Sequence, residues 1–96
     1  MKAYIIVDVI ITDPVRYEEY KKLTPASLEP FGGRFIARGG AAECLEGDWQ
    51  PGRIVVIEFP SAGKAKAWWS SEGYAPAKVI RQSASVTQMI LVGGVD

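Results

Sequence analysis

Two stretches of this chain are apolar on both faces of a strand and yet each carries a carboxylate near its end: Tyr4-Ile5-Ile6-Val7-Asp8-Val9-Ile10-Ile11 and Ile54-Val55-Val56-Ile57-Glu58-Phe59. A strand covered on one side only alternates apolar with polar residues, so both read as central strands with cover on each face. The rest of the chain holds about two helices, and right-handed crossovers place both on the same side of a sheet. The other side then needs a cover from outside the protomer, and a second copy of the chain is the expected one. With 96 residues, a single protomer buries only roughly 60–65% of its extended surface, so association would add to its stability.

The remaining segments fall into place around these strands. Thr12 or Asp13 caps a helix whose first turn takes Pro14, since the missing amide would have no partner there. Val15, Tyr17, Tyr20 and Leu23 are its expected buried stripe, with Arg16, Glu18, Glu19 and Lys21 outside. Pro25 is expected to disturb this helix and to leave a second short piece over 25–29, running into Pro30. After the turn at Phe31-Gly32-Gly33 comes a strand, Arg34–Arg38, then a bulge or bend at Gly39-Gly40 and another extended stretch from Ala42 to Leu45. The turn formers Gly47-Asp48-Trp49-Gln50-Pro51-Gly52 connect to the strand over 53–59, which Pro60 ends. Ser61 caps a helix bearing Ala62, Ala65, Trp68 and Trp69; Ser70 to Gly73 breaks it, Tyr74 to Arg81 is a further helical piece, and Val86 to Val92 is the last strand before a short tail, Gly93–Asp96. The order strand, helix, strand, strand, helix, strand predicts one domain over residues 1–96, a ferredoxin-like α+β sandwich with a four-stranded antiparallel sheet.

Composition removes several function classes. There are 11 basic and 11 acidic residues, so no net field draws the chain to nucleic acid or to an anionic membrane. The longest apolar run is about eight residues, far short of the roughly 20 that span a bilayer. No signal-peptide cleavage pattern follows Met1-Lys2, and a cytoplasmic protein starting at Met1 or Lys2 is expected. The chain has one cysteine, Cys44, and no histidine. Histidine-ligated haem, Cys/His zinc and Ser-His-Asp chemistry are therefore ruled out for lack of parts, and Cys44 reads as a small buried hydrophobe. No cofactor and no metal site is expected. The glycine pairs do not form a dinucleotide or phosphate-loop fingerprint.

Side-chain alternation places Tyr4, Ile6, Asp8 and Ile10 on one face of the first strand, Ile54, Val56 and Glu58 on one face of the third, and Arg34, Ile36 and Arg38 on one face of the second. If all three faces point away from the helices, Asp8, Glu58 and Arg38 meet in an apolar cavity between two sheets. In one reading they form an interior ionic network that fixes register or dimer geometry. In the other they are a catalytic set: Arg38 holds a carboxylate, phenolate or enolate oxygen while Asp8 or Glu58 moves a proton. Arg34, Tyr20, Trp69 and Tyr74 are the candidate ligand-binding residues. Trp68 is assigned mainly to the core, Trp49 to an interface, and Lys64, Lys66, Lys78 and Arg81 to solvated helix surfaces.

The segments Phe31-Gly32-Gly33-Arg34-Phe35, Ala37-Arg38-Gly39-Gly40, Leu45-Glu46-Gly47 and Glu58-Phe59-Pro60-Ser61, followed by Ala67-Trp68-Trp69 and Ser71-Glu72-Gly73-Tyr74, closely resemble the bacterial family known as domain of unknown function 1330, DUF1330. The resemblance spans nearly the whole chain. It implies a ferredoxin-like protomer and a dimeric α+β barrel in which two sheets face each other, but no particular reaction. The wider group includes oxygenases of quinol-like substrates, lactone isomerases, haem-handling proteins and ligand-sensing modules, and the haem branch conflicts with the lack of histidine. Two functions are therefore weighed. One is a homodimer that binds a small organic acid or a phenolic or quinol-like metabolite, as a cofactor-independent isomerase or proton-transfer enzyme. The other is a non-catalytic binding or accessory module in which the Asp/Glu/Arg set is structural.

Overall fold

The computed structural model describes residues 1–95 and shows a two-layer sandwich with principal extents of 32 × 32 × 17 Å. Its elements are β1 (Ala3–Ile11), α1 (Pro14–Leu28), a 3-10 turn (Glu29–Phe31), β2 (Arg34–Arg38), β3 (Arg53–Phe59), α2 (Ala62–Trp69), α3 (Ala75–Ala84) and β4 (Ser85–Gly93). The sheet order is β2-β3-β1-β4, antiparallel throughout, as a ferredoxin-like α+β fold requires. Of the expected tail, Gly93 closes β4 and Gly94 still donates to the Lys2 carbonyl at 2.8 Å, while Asp96 lies outside the described residues.

All three helices cover one face. Toward them point Ile5, Val7 and Val9 of β1 and Val55, Ile57 and Phe59 of β3, packed on Tyr17, Tyr20, Leu28, Trp68, Tyr74 and Ala77. The other face carries Tyr4, Ile6, Asp8 and Ile10 beside Ile54, Val56 and Glu58, with Val86, Gln88, Ile90 and Val92 from β4. Within the protomer no helix covers this face. Ile10, Val86, Ile90 and Val92 are exposed on it.

Asp13 caps α1, its Oδ1 accepting from the Arg16 amide at 3.1 Å. The buried stripe is Tyr17, Tyr20, Thr24, Ser27 and Leu28, whereas Val15, at 81% exposure, and Leu23 face outward. Small polar residues can serve as core here because they bond their own helix. Thr24 Oγ1 donates to the Tyr20 carbonyl at 2.7 Å and Ser27 Oγ to the Thr24 carbonyl at 2.6 Å.

Contrary to the expected break, α1 runs through Pro25 without interruption. Proline has no amide to offer the carbonyl four residues back, Lys21. That carbonyl instead accepts from Arg38 Nη2 at 2.8 Å, so a side chain from β2 supplies the bond the helix lacks.

Arg38 can do this because β2 bulges. Arg34 pairs with Glu58 and Phe35 with Ile57, but Ala37 pairs with Val56 and Arg38 with Val55, which puts the irregularity at Ile36 rather than at Gly39-Gly40. The extra residue turns Arg38 to the helix side. Residues Ala42 to Leu45 form no strand; the whole connection from Gly39 to Gly52 is irregular and nearly all exposed. Gly39, at φ 76°, starts it in a backbone region that favours glycine. Cys44 is exposed, against expectation, with Sγ against the Glu46 and Gly47 carbonyls.

Candidate functional site

The three residues proposed as a catalytic set are not brought together, and each is held by other partners. Asp8 is clamped by the β2–β3 connection: Oδ2 accepts from Trp49 Nε1 at 2.8 Å and Oδ1 from the Gly52 amide at 2.9 Å. Gly52 passes so close to the Val9 carbonyl that an added Cβ would collide with it. Glu58 Oε1 accepts from Arg34 Nε at 2.9 Å and lies 3.4 Å from Lys2 Nζ. Arg38 sits on the opposite face of the sheet from both acids, its guanidinium 4.2 Å from the centroid of the Phe35 ring. The face parity assumed for β1 and β3 holds; for Arg38 it is corrected by the bulge.

Glu58 is thus engaged as an ion by two cations. Burial pushes its pKa up, but hydrogen bonds and charge from Arg34 and Lys2 outweigh burial and hold it below the usual glutamate range. Because its folded pKa is depressed, its contribution to stability is present above the unfolded value of about 4.3 and is lost as pH falls through the folded one. Urea midpoints taken from about pH 5 down to about pH 3 are expected to fall more steeply for the wild type than for Glu58→Gln. Parallel curves would contradict this assignment.

The sheet's other face carries the open site. A cleft of about 800 Å³ lies between α2, α3 and the helix side of β4, lined by Lys66, Trp69, Arg81, Thr87, Met89 and Leu91 among others. That is within the size range of small-molecule sites. Trp69 stands at the rim, 45% exposed. Lys78 holds its place: Nζ donates to the Trp69 carbonyl at 2.8 Å and lies 3.8 Å from the ring centroid.

Arg81 is the unusual member. Only 6% of its surface is exposed, yet no carboxylate lies within ion-pairing distance of it among the described residues. Its Nε donates to Tyr74 Oη at 3.2 Å, and Tyr74 Oη is 2.9 Å from Tyr20 Oη. The two terminal nitrogens have no protein hydrogen bond among the described residues. Since no fully buried side-chain nitrogen is left without a partner, they reach open space. A guanidinium offers five donors and no acceptor, so what it presents there is a set of uncommitted donors.

Of the candidate ligand residues, Trp69 borders the cleft directly. Tyr74 and Tyr20 stand behind Arg81 in the core and position it. Burial, reinforced by Tyr74, raises the Tyr20 pKa strongly, so this phenol stays protonated and cannot be a base near neutral pH. Arg34 lies on the far face, with Glu58. Arg81, expected on a solvated helix surface, is buried instead; the spacing of the buried α3 residues Ala77, Arg81 and Ala84 follows one helix face, and that periodicity is the signal that marks it.

Fold and site together define a ferredoxin-like α+β domain with an arginine-bearing cleft on its helical side. The chain belongs to the family described as domain of unknown function (DUF1330), whose model matches residues 2–95. No curated protein matches it. Among solved structures, it is similar to the RPA0582 protein of unknown function from Rhodopseudomonas palustris, at 17% identity and a TM-score of 0.77 over 99% of this chain and 83% of that one. It is also similar to SnoaB, a cofactor-independent oxygenase from Streptomyces nogalater, at 13% identity and a TM-score of 0.67 over 99% of this chain and 94% of that one. At these identities the likeness shows the fold alone. No helix among the described residues is long and apolar enough to cross a membrane, and no group of candidate metal ligands occurs among them.

Proposed function

We propose that the protein is a homodimer, joined through the helix-free sheet face, that binds a small organic anion in the cleft between α2, α3 and β4. The observation that carries the binding reading is Arg81, a nearly buried guanidinium without a carboxylate partner among the described residues, opening beside an indole onto a space of small-molecule size. Leaving such a cation unneutralised costs stability unless something else compensates. A carboxylate, phenolate or enolate oxygen is the complementary group, and Trp69 suits a flat ring next to it. The reaction compatible with these parts is one that passes through a stabilised oxyanion, such as isomerisation or proton transfer beside a carbonyl. That SnoaB is described as a cofactor-independent oxygenase fits a fold that can work on small molecules without a prosthetic group.

The dimer reading rests on the open face. It is up to 32 Å across and largely aliphatic, which is enough for the roughly 800 Å² per partner of a standard interface. Asp8 and Glu58, held by Trp49, Gly52, Arg34 and Lys2, would be its fixed polar points. Their engagement favours the second reading for this part of the molecule, in which the acids set geometry and catalyse nothing. Native mass spectrometry tests both claims. The expected species contains two chains of 10.5 kDa each, with a retained small acid that is lost on Arg81→Met. A one-chain mass at micromolar concentration would overturn the dimer, and retention by the variant would overturn the anion seat.

A further inference from the structure

Arg81 also borders a second, much smaller space. Between α1 and the sheet lies a chamber of about 20 Å³ whose polar lining includes Tyr17, Tyr20, Thr24, Arg38, Arg53 and Arg81. It has room for one occupant of water or halide size, and no carboxylate lines it.

The direction of the hydrogen bonds determines what this chamber needs. Arg53 Nη1 donates to Tyr17 Oη at 3.3 Å, which leaves the Tyr17 proton to find another acceptor. Arg81 Nε donates to Tyr74 Oη, and the Tyr74 and Tyr20 hydroxyls share one further proton between them at 2.9 Å. Thr24 gives its own proton to the Tyr20 carbonyl, and Arg38 gives one to the Lys21 carbonyl. Burial raises the pKa of both phenols, more than offsetting the nearby arginines, so both keep their protons. Tyr17 then brings a phenol proton, and Arg53 and Arg81 bring spare guanidinium protons, to a lining whose side-chain acceptors are all neutral hydroxyl oxygens, those of Tyr17, Tyr20 and Thr24. The carboxylate that feels Arg53, Glu18, is exposed and bonded to Lys21 at 2.9 Å.

We propose that this chamber is a binding site for one monovalent anion of halide size, held by the hydroxyl of Tyr17 and by the guanidinium groups of Arg53 and Arg81. Lys21, which also lines the chamber, is paired with Glu18, but Arg38, Arg53 and Arg81 have no ion-pairing acid from this lining among the described residues, and they gain from a single negative charge more than from a water, which cannot offset their mutual repulsion. Arg38, which is exposed, stands on the solvent side and lets the ion exchange. The site does not depend on the cleft having a ligand.

Thermal unfolding at fixed ionic strength tests this, with sodium gluconate replaced stepwise by sodium chloride or bromide. The wild type is expected to show a saturable rise in Tm of at least about 4 °C. Tyr17→Phe, measured against its own gluconate baseline, is expected to lose most of that rise while still unfolding cooperatively. Crystals soaked in bromide should show an anomalous peak in the chamber. Equal Tm in gluconate and chloride, or an ordered water there without anomalous signal, would overturn the proposal.

Discussion

Arg81→Met is expected to weaken binding of an anionic aromatic probe by about ten- to a hundredfold while leaving the protein, compared in halide-free gluconate, as stable as before or more so. Salicylate is a suitable probe because it carries both a carboxylate and a phenol. In nitrogen-15 spectra of the wild type, the indole signal of Trp69 should move on titration, while that of Trp49, tied to Asp8 on the opposite face, stays put. Removing one charged donor from a small-ligand site costs on the order of 1.5–3 kcal/mol, which sets the expected loss of affinity. Arg81→Lys should recover only part of it, since a point charge does not reproduce the two-pronged geometry. The expected gain in stability follows from the same features. Arg81 has no acid to lose, Tyr74 keeps its bond to Tyr20, and methionine fills a nearly buried position without the desolvation cost of a cation. An unchanged Trp69 response in the variant would sink the anion seat. No response in the wild type would remove this class of ligand.

The burial of Arg81 left a trace in the sequence. In β1 and β3 the apolar alternation was legible: odd-numbered residues meet the helices, even-numbered ones face away, and Asp8 and Glu58 fall on the open side. Caps at Asp13 and Ser61 and the order of elements were equally plain. β2 was not, since nothing about Ile36 announces a bulge, whereas the glycines after it do suggest one. That single extra residue moved Arg38 across the sheet and separated it from the two acids. The same shift explains why Pro25 does not break α1, a coupling between two segments that local propensity cannot express. In α3, Arg81 has the charge of a surface residue and the position of a core one: Ala77, Arg81 and Ala84 share one buried face. Both arginines thus lie on the helix side of the sheet, away from Asp8 and Glu58.

The largest expected loss of stability comes from one of two adjacent tryptophans. Trp68 is fully buried, stacked 4.0 Å from the Tyr74 ring and 5.6 Å from the Phe59 ring, and its Nε1 donates to Ser27 Oγ at 3.0 Å. Adjacent helix positions point about 100° apart, so Trp69 lies at the cleft rim instead. Trp68→Ala should cost about 3–5 kcal/mol, from lost apolar burial and from the cavity that neighbouring rings cannot fill. For a domain of this size that is a large share of a total of roughly 5–14 kcal/mol, and the urea midpoint should fall by about 2 M. Trp68→Phe keeps an aromatic stack and should lose much less, since Ser27 still bonds the Thr24 carbonyl. Trp69→Ala should change stability by under about 1 kcal/mol while abolishing the indole reporter at the cleft. Equal losses from the two alanine variants would mean that the core and the cleft are not divided between these neighbours, and that Trp69 is held by packing rather than left free to meet a ligand.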